Sequence, residues 1–349
     1  MMTMVSLVSA RLRCPGRRAV LLAGLLALIS LAPAGRAAGG AAPSAAQREQ
    51  VIRLRAGWNA AFVEVEPEES DPARVFAGLP VEIVSAFFPQ THPAAYVQNP
   101  GDAPWREEGW GVWYAPGRAD AALASLSAIT GRQGYLILST ADATWRVQGR
   151  VALKPLRWQP DSYNFTGFCV DPESPPTFQE FFAPSRAHRG QRIYQLVDGT
   201  WTPVRNPEST AIRTGEAYWV YCAGGSDYQG PLQVRSAGSS LDLGRFAPDG
   251  RIELLNHLAQ PVRVQIAMHP VENALPLAYV SQELSQLRTS YPPMPDRLVL
   301  PELEPGHSQL LRIAPRRDAM TAGSQTSLLR ISNGEGTVIW LPVTAERAL

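Results

Sequence analysis

Leu54-Arg55-Ala56-Gly57-Trp58-Asn59 decides the fold, because its pattern returns at Ser162-Tyr163-Asn164. Sliding the chain by 105 positions without a gap sets Trp58 on Tyr163, Asn59 on Asn164, Val65 on Val170, Pro67 on Pro172, Glu68 on Glu173 and Phe76 on Phe181. Aromatic, amide, proline and acid recurring in a fixed order imply two β units in tandem. A glycine followed by a large ring and an asparagine suits a strand that bends sharply while the ring fills the core. The repetition makes the motif a hinge and core plug rather than a recognition site.

Around that step the two copies run in parallel. Asp71-Pro72 offers an N-cap and a first-turn proline for a short helical turn ending at Phe76, and Pro175-Pro176-Thr177 leads to the same turn at Phe181. Val81-Glu82-Ile83-Val84 and Ile193-Tyr194-Gln195-Leu196-Val197 read as strands, the second entering a hairpin at Asp198-Gly199. Gly131-Arg132-Gln133-Gly134-Tyr135 and Gly215-Glu216-Ala217-Tyr218 each feed an apolar strand. Val147, Gly149, Val151 and Leu153 are expected to close the first copy, and Gly230, Leu232 and Val234 the second.

The residue order Gly-Trp-Asn, a proline step, an aromatic hairpin, then Gly-x-x-Gly-Tyr and an apolar strand resembles the GWN-type repeat of secreted and surface proteins of bacteria. The resemblance covers about residues 51–154 and, more loosely, 155–235, where Ser162-Tyr163-Asn164 replaces Gly-Trp-Asn. It implies a protein built from adhesion, lectin-like or immunoglobulin-like modules and supplies no catalytic residues.

From residue 236 the texture changes. Seven short runs, at Leu241–Gly244, Arg251–Leu254, Val262–Ile266, Leu298–Leu300, Leu310–Ile313, Leu328–Ile331 and Val338–Leu341, are separated by Pro-Asp-Gly, Glu-Pro-Gly and Asn-Gly-Glu-Gly turns. That spacing fits a two-sheet sandwich. Leu303-Glu304-Pro305-Gly306, Leu311-Arg312-Ile313, Ala322-Gly323 and Leu341-Pro342-Val343 make it similar to bacterial immunoglobulin-like domains. Val280, Leu284 and Leu287 predict a short amphipathic helix over 278–289, a lid on one end of the sandwich. The expected fold is all-β, two tandem small β domains followed by an immunoglobulin-like β-sandwich at 236–349.

Composition agrees, since Pro and Gly make up 59 of 349 residues and suit short strands with many turns. Arg11, Arg13, Arg17 and Arg18 precede an apolar run from Ala19 to Ile29, with small residues at Ala34, Gly35, Ala37 and Ala38, the order of a secretory signal peptide over 1–37. Ser30 and Pro33 interrupt the run before it reaches a membrane span of about 20 residues. A flexible linker is expected over 38–50. Export places the chain in the periplasm, outside the cell or on its surface. No apolar tail marks the C-terminus, so the mature chain is expected to carry no membrane anchor. The basic side is 31 Arg and one Lys, and without the leader 27 basic residues face 31 acidic ones, a formal charge of −4. Such a balance gives no electrostatic reason to bind nucleic acid.

Cys169 and Cys222 are the cysteines of the mature chain. Two readings stand: a disulfide closing a loop of about 54 residues, which by chain entropy would stabilise by roughly 4 kcal/mol, or two buried thiols.

No catalytic residues, metal ligands or cofactor are expected. His92, His188, His257, His269 and His307 lack ligand spacing, and no nucleophile elbow or phosphate loop occurs. The acids Glu64, Glu66, Glu68, Glu69 and Asp71 read as a solvated turn. The expected function is that of a non-enzymatic exported surface or periplasmic binding and scaffold protein, meeting an extracellular protein or a glycan. In the alternative, a carbohydrate-binding module or polysaccharide-processing protein, Trp105, Trp110 and Trp113 form an aromatic platform for carbohydrate, Trp105 and Trp110 being the more solvent-facing. Strand donation through an open sandwich edge is a third reading, on fold analogy.

Overall fold

The computed structural model describes residues 46–89, 109–190, 192–283 and 288–347. The leader, Trp105, Leu284 and Leu287 lie outside them. The fold is all-β, and the two copies share one strand order. In the first, β1 (Gln47–Leu54), β2 (Gly57–Val63), β3 (Glu66–Pro67), α1 (Pro72–Val75), β4 (Val81–Phe87), β5 (Trp110–Tyr114), β6 (Gln133–Ser139) and β7 (Ala143–Arg150) follow in order. They form a four-stranded sheet β2-β6-β4-β5 and a three-stranded sheet β1-β7-β3. In the second, β8 (Ser162–Thr166), α2 (Phe178–Phe182), β9 (Ile193–Val197), β10 (Thr200–Pro203) and β11 (Tyr218–Cys222) form a sheet β8-β11-β9-β10. Each strand of the four-stranded sheet thus has its counterpart in the same place, while the sheet β1-β7-β3 belongs to the first copy alone among the described residues. The expected linker is shorter than 38–50, because Gln47–Leu54 pairs residue for residue with β7, Gln47 against Arg150.

The local chemistry is duplicated too. Asn59 Oδ1 accepts from Arg55 N at 2.9 Å and its Nδ2 donates to Arg55 O and Gly57 O at 2.8 and 3.0 Å. Asn164 does the same with Gln159 N and O and with Ser162 O at 2.7, 3.1 and 3.1 Å. Each asparagine therefore staples the bend that launches its sheet. The Tyr135 hydroxyl accepts from Thr130 N at 2.7 Å, and the Tyr218 hydroxyl accepts from Arg213 N at 3.0 Å. Both helical turns are capped, by Asp71 accepting from Ala73 N and by a Thr177–Glu180 capping box. Asp198 and Gly199 have φ of 47° and 77°, the two positive values a type I′ hairpin turn requires.

Each four-stranded sheet buries both faces. On β6, Tyr135 and Ile137 pack with Phe76, Trp113 and Trp145 inside the first copy, while Leu136 points the other way. On β11, Tyr218 and Val220 face Phe178, Phe181 and Phe182, while Trp219 points outward. The outward faces meet: Phe62, Trp110, Tyr114 and Leu136 pack against Tyr163, Phe165 and Trp219. The copies are joined through an aromatic core of their own, with further hydrogen bonds from Phe62 N to Gly215 O at 2.8 Å and from Ala217 N to Ala60 O at 3.0 Å.

All seven C-terminal runs are strands. One sheet is β12 (Leu232–Arg235), β14 (Gly250–Asn256), β20 (Ser308–Pro315) and β16 (Leu277–Tyr279); the facing one is β13 (Leu241–Asp242), β22 (Val338–Glu346), β21 (Ser324–Ser332), β15 (Val262–His269) and β19 (Arg297–Leu303). Two facing sheets with strands shared out in this crossed order make an immunoglobulin-like sandwich. Leu232 and Val234 do not close the second copy. They pair with β14 and pack in the sandwich core, so the sandwich begins a few residues before 236. No helix forms among the described residues of 278–289. Leu275 and Leu277 alternate into the core, and Ala278 and Tyr279 pair with Ala314 and Ile313 as an edge strand, followed by β17 (Ser281–Glu283) and β18 (Arg288–Ser290). Sheet pairing and period-2 burial override the helical spacing there.

Candidate functional site

The three modules close around a cavity of about 470 Å³. The first copy contributes Arg48, Glu64 and Arg132; the connector contributes Leu153, Lys154 and Leu156; the second copy contributes Phe168, Cys169 and Phe181; the sandwich contributes Val234, Arg235 and Trp340. A volume of this order and a mainly apolar lining with a few convergent polar groups suit a small-molecule site.

The polar wall is built where β2 and β8 run out. Glu64 follows β2 and is buried, 7% exposed. It is salt-bridged to Arg48 on β1, and its Oε1 accepts from Thr214 Oγ1 at 2.6 Å. Arg48 lies over the Trp340 ring, 5.1 Å from its centroid, which ties the first copy to the sandwich. Cys169, the echo of Glu64, stands beside it and accepts from Arg132 Nη1 at 3.0 Å. Burial, and then the Glu64 carboxylate, push the Cys169 thiol up to about 12, with Arg132 and Arg48 opposing. The group is a neutral thiol at physiological pH. Among the described residues no carboxylate pairs with Arg132, whereas Lys154 meets Glu66 at 3.0 Å and Arg235 meets Glu253 at 3.6 Å.

The residues singled out from the sequence lie elsewhere. Trp110 and Trp113 are buried, each 8% exposed. Trp110 packs against Phe87, Phe165 and Trp219 with centroids at 5.3, 6.0 and 6.2 Å, and Trp113 packs on Phe76 at 5.7 Å. Neither presents a ring face to a sugar, because β5 is covered on both sides. The disulfide does not form: Cys169 and Cys222 are both free. Cys222 pairs with Ser162 at the start of β8, while Cys169 lies beyond its far end. Seven residues of extended chain span on the order of 20 Å, against the roughly 7 Å limit between bridged Cα atoms. The acidic turn is corrected at Glu64, a buried partner of Arg48, while Glu68, Glu69 and Asp71 are exposed.

Two signals in the sequence pointed to the cavity. Glu64 interrupts the run Phe62-Val63-Glu64-Val65, and Arg132 stands three residues before Tyr135 where Gly215 stands before Tyr218.

No protein-family model and no curated protein matches the chain. Among solved structures, similarity extends to the ASH/PapD-like domain of human CEP192, at 13% identity over 34% of this chain and 85% of that one, with a TM-score of 0.21. A chaperone–tip adhesion subunit pre-assembly complex, CsuC–CsuE of Acinetobacter baumannii, matches at 10% identity, 33% and 56% coverage and a TM-score of 0.21. The periplasmic chaperone SfaE matches at 5% identity, 34% and 57% coverage and the same TM-score. The chain thus spans little more than half of the latter two, and likenesses this remote carry no functional argument.

Proposed function

We propose that this chain is a non-enzymatic exported binding and scaffold protein whose ligand site is the cavity where its three modules meet. The observation that carries the reading is the assembly of that cavity. Arg48, Glu64, Cys169 and Trp340 come from all three modules and fix one another, so the modules form a rigid frame around an internal space rather than a flexible string.

Two features weigh against chemistry, one at the cavity and one in the core of the second copy. The Cys169 sulfur is held as a thiol, a poor nucleophile. Ser185 and His188 form a hydrogen bond of 2.6 Å, but His188 is buried between Trp158 and Phe182, and its Nε2 has no partner, so no acid orients the ring.

The test is expression of the full chain in a bacterial host, fractionation, and native mass spectrometry of the recovered protein. The expected result is a shortened chain outside the cytoplasm carrying a small molecule that is released chemically unchanged. Retention in the cytoplasm would overturn the export reading, and release of a converted product would overturn the non-enzymatic one.

A further inference from the structure

Arg132 has a backbone conformation that its side chain disfavours. It opens the turn into β6 at φ 62°, and its counterpart at the turn into β11, Gly215, has φ 76°. The turn therefore demands the left-handed region in both copies. Glycine enters that region freely, whereas a residue with a Cβ is strained there. The turn that lines the cavity carries arginine, and the equivalent turn, which lies outside the lining, carries glycine. Strain kept at one of two equivalent positions calls for a role at that position.

The guanidinium is placed for such a role. Nη1 donates to the Cys169 sulfur, a weak acceptor, at 3.0 Å, and the group lies 5.5 Å from the Phe62 ring centroid. Arg48, Lys154 and Arg235 line the same cavity and each already faces a carboxylate. Arg132 is thus the cation whose charge is unanswered among the described lining residues.

We propose that the cavity binds a small monoanionic carboxylate with an apolar body, its carboxylate received by Arg132. The assignment rests on the reading of this chain as a binding protein. A planar guanidinium matches a carboxylate through two parallel N–H donors. The neighbouring Glu64 carboxylate argues against a dianion such as a phosphate monoester, which it would repel. Leu153, Phe168, Phe181, Val338 and Trp340 supply apolar walls for the rest of the molecule. A fatty acid and the C-terminus of a short apolar peptide both present this chemistry.

Isothermal titration of the full chain with dodecanoate and with dodecan-1-ol tests the pairing. A trileucine peptide acetylated at its N-terminus is titrated in parallel as the free acid and as the amide, to separate the two sources. At least one acid should bind about tenfold or more tightly than its neutral analogue, as expected for a charge-assisted contact. In R132G that preference should vanish while the thermal midpoint stays level or rises, because glycine is what the same turn carries in the second copy. Binding of neither acid, or an undiminished acid preference in R132G, overturns the proposal. Export with a different bound molecule would leave the broader reading intact.

Discussion

Glu64 is where burial and charge meet most directly. Its side chain is 4% exposed and that of Arg48 13%, so removal of the carboxylate leaves a cation in a nearly dry setting. Breaking such a pair from one side costs more than replacing both members. Glu64→Ala should lose about 3 kcal/mol in urea unfolding, and Arg48→Met with Glu64→Leu should recover most of it. His188 makes a separate prediction. Burial lowers its pKa from 6.5 to about 4, so the folded state resists protonation while the unfolded chain takes up a proton. Its contribution is complete above about pH 6.5, is lost as pH falls toward 4 and is constant below, a swing of ~3 kcal/mol. Over that window the denaturant midpoint of wild type should fall on acidification relative to that of His188→Phe with Ser185→Ala, and a constant difference between the two would overturn the assignment. His257 and His269, also lowered by burial, remain in both proteins and cancel. Glu64 was legible only as a charge interrupting an apolar run, which marks the position without naming its partner, and His188, three residues after Ser185, shows nothing of what folds against it.

The strands and turns were far more legible. Period-2 burial with turn residues between runs is local information, which is why all seven C-terminal strands appear where their sequences place them. Among the described residues of 278–289 the expected helix gives way for a nonlocal reason, the open edge of β20 that takes up Leu277 to Tyr279. The bends before β2 and β8 are legible only as a pair. Asn59 and Asn164 each give both side-chain ends to the backbone of the preceding bend, in hydrogen bonds of 2.7 to 3.1 Å. Asn59→Ala and Asn164→Ala should each cost about 1–2 kcal/mol, and similar losses in the two variants would show that the staple is one device used twice. A loss at one position alone, measured by chemical unfolding, would mean that the match between the copies ends at the backbone.

The joint between the copies lay beyond sequence reading, since tandem repeats equally describe independent beads. What makes it a joint is asymmetry at equivalent positions. Phe62 and Gly167 correspond in the 105-residue shift, and the ring of Phe62 occupies the space a side chain at 167 would need. A Cβ added there would lie 2.4 Å from Phe62 Cγ and 2.4 Å from the Glu216 carbonyl oxygen. One is a ring fixed in the shared core and the other is backbone, so neither yields cheaply. The second copy gives up a side chain so that the first can insert one. Gly167→Ala should therefore cost about 1–3 kcal/mol or more as overpacking, with its effect concentrated on the face where Trp110 and Trp219 meet. In a wild-type protein whose copies share one core, tryptophan fluorescence and far-ultraviolet circular dichroism should report a single transition. In Gly167→Ala the fluorescence change should come first, as the aromatic joint opens while each sheet keeps its own second core. Coincident transitions at wild-type stability would mean that the copies fold as separate bodies in contact, and the cavity between them would then lack the rigid frame on which its ligand reading depends.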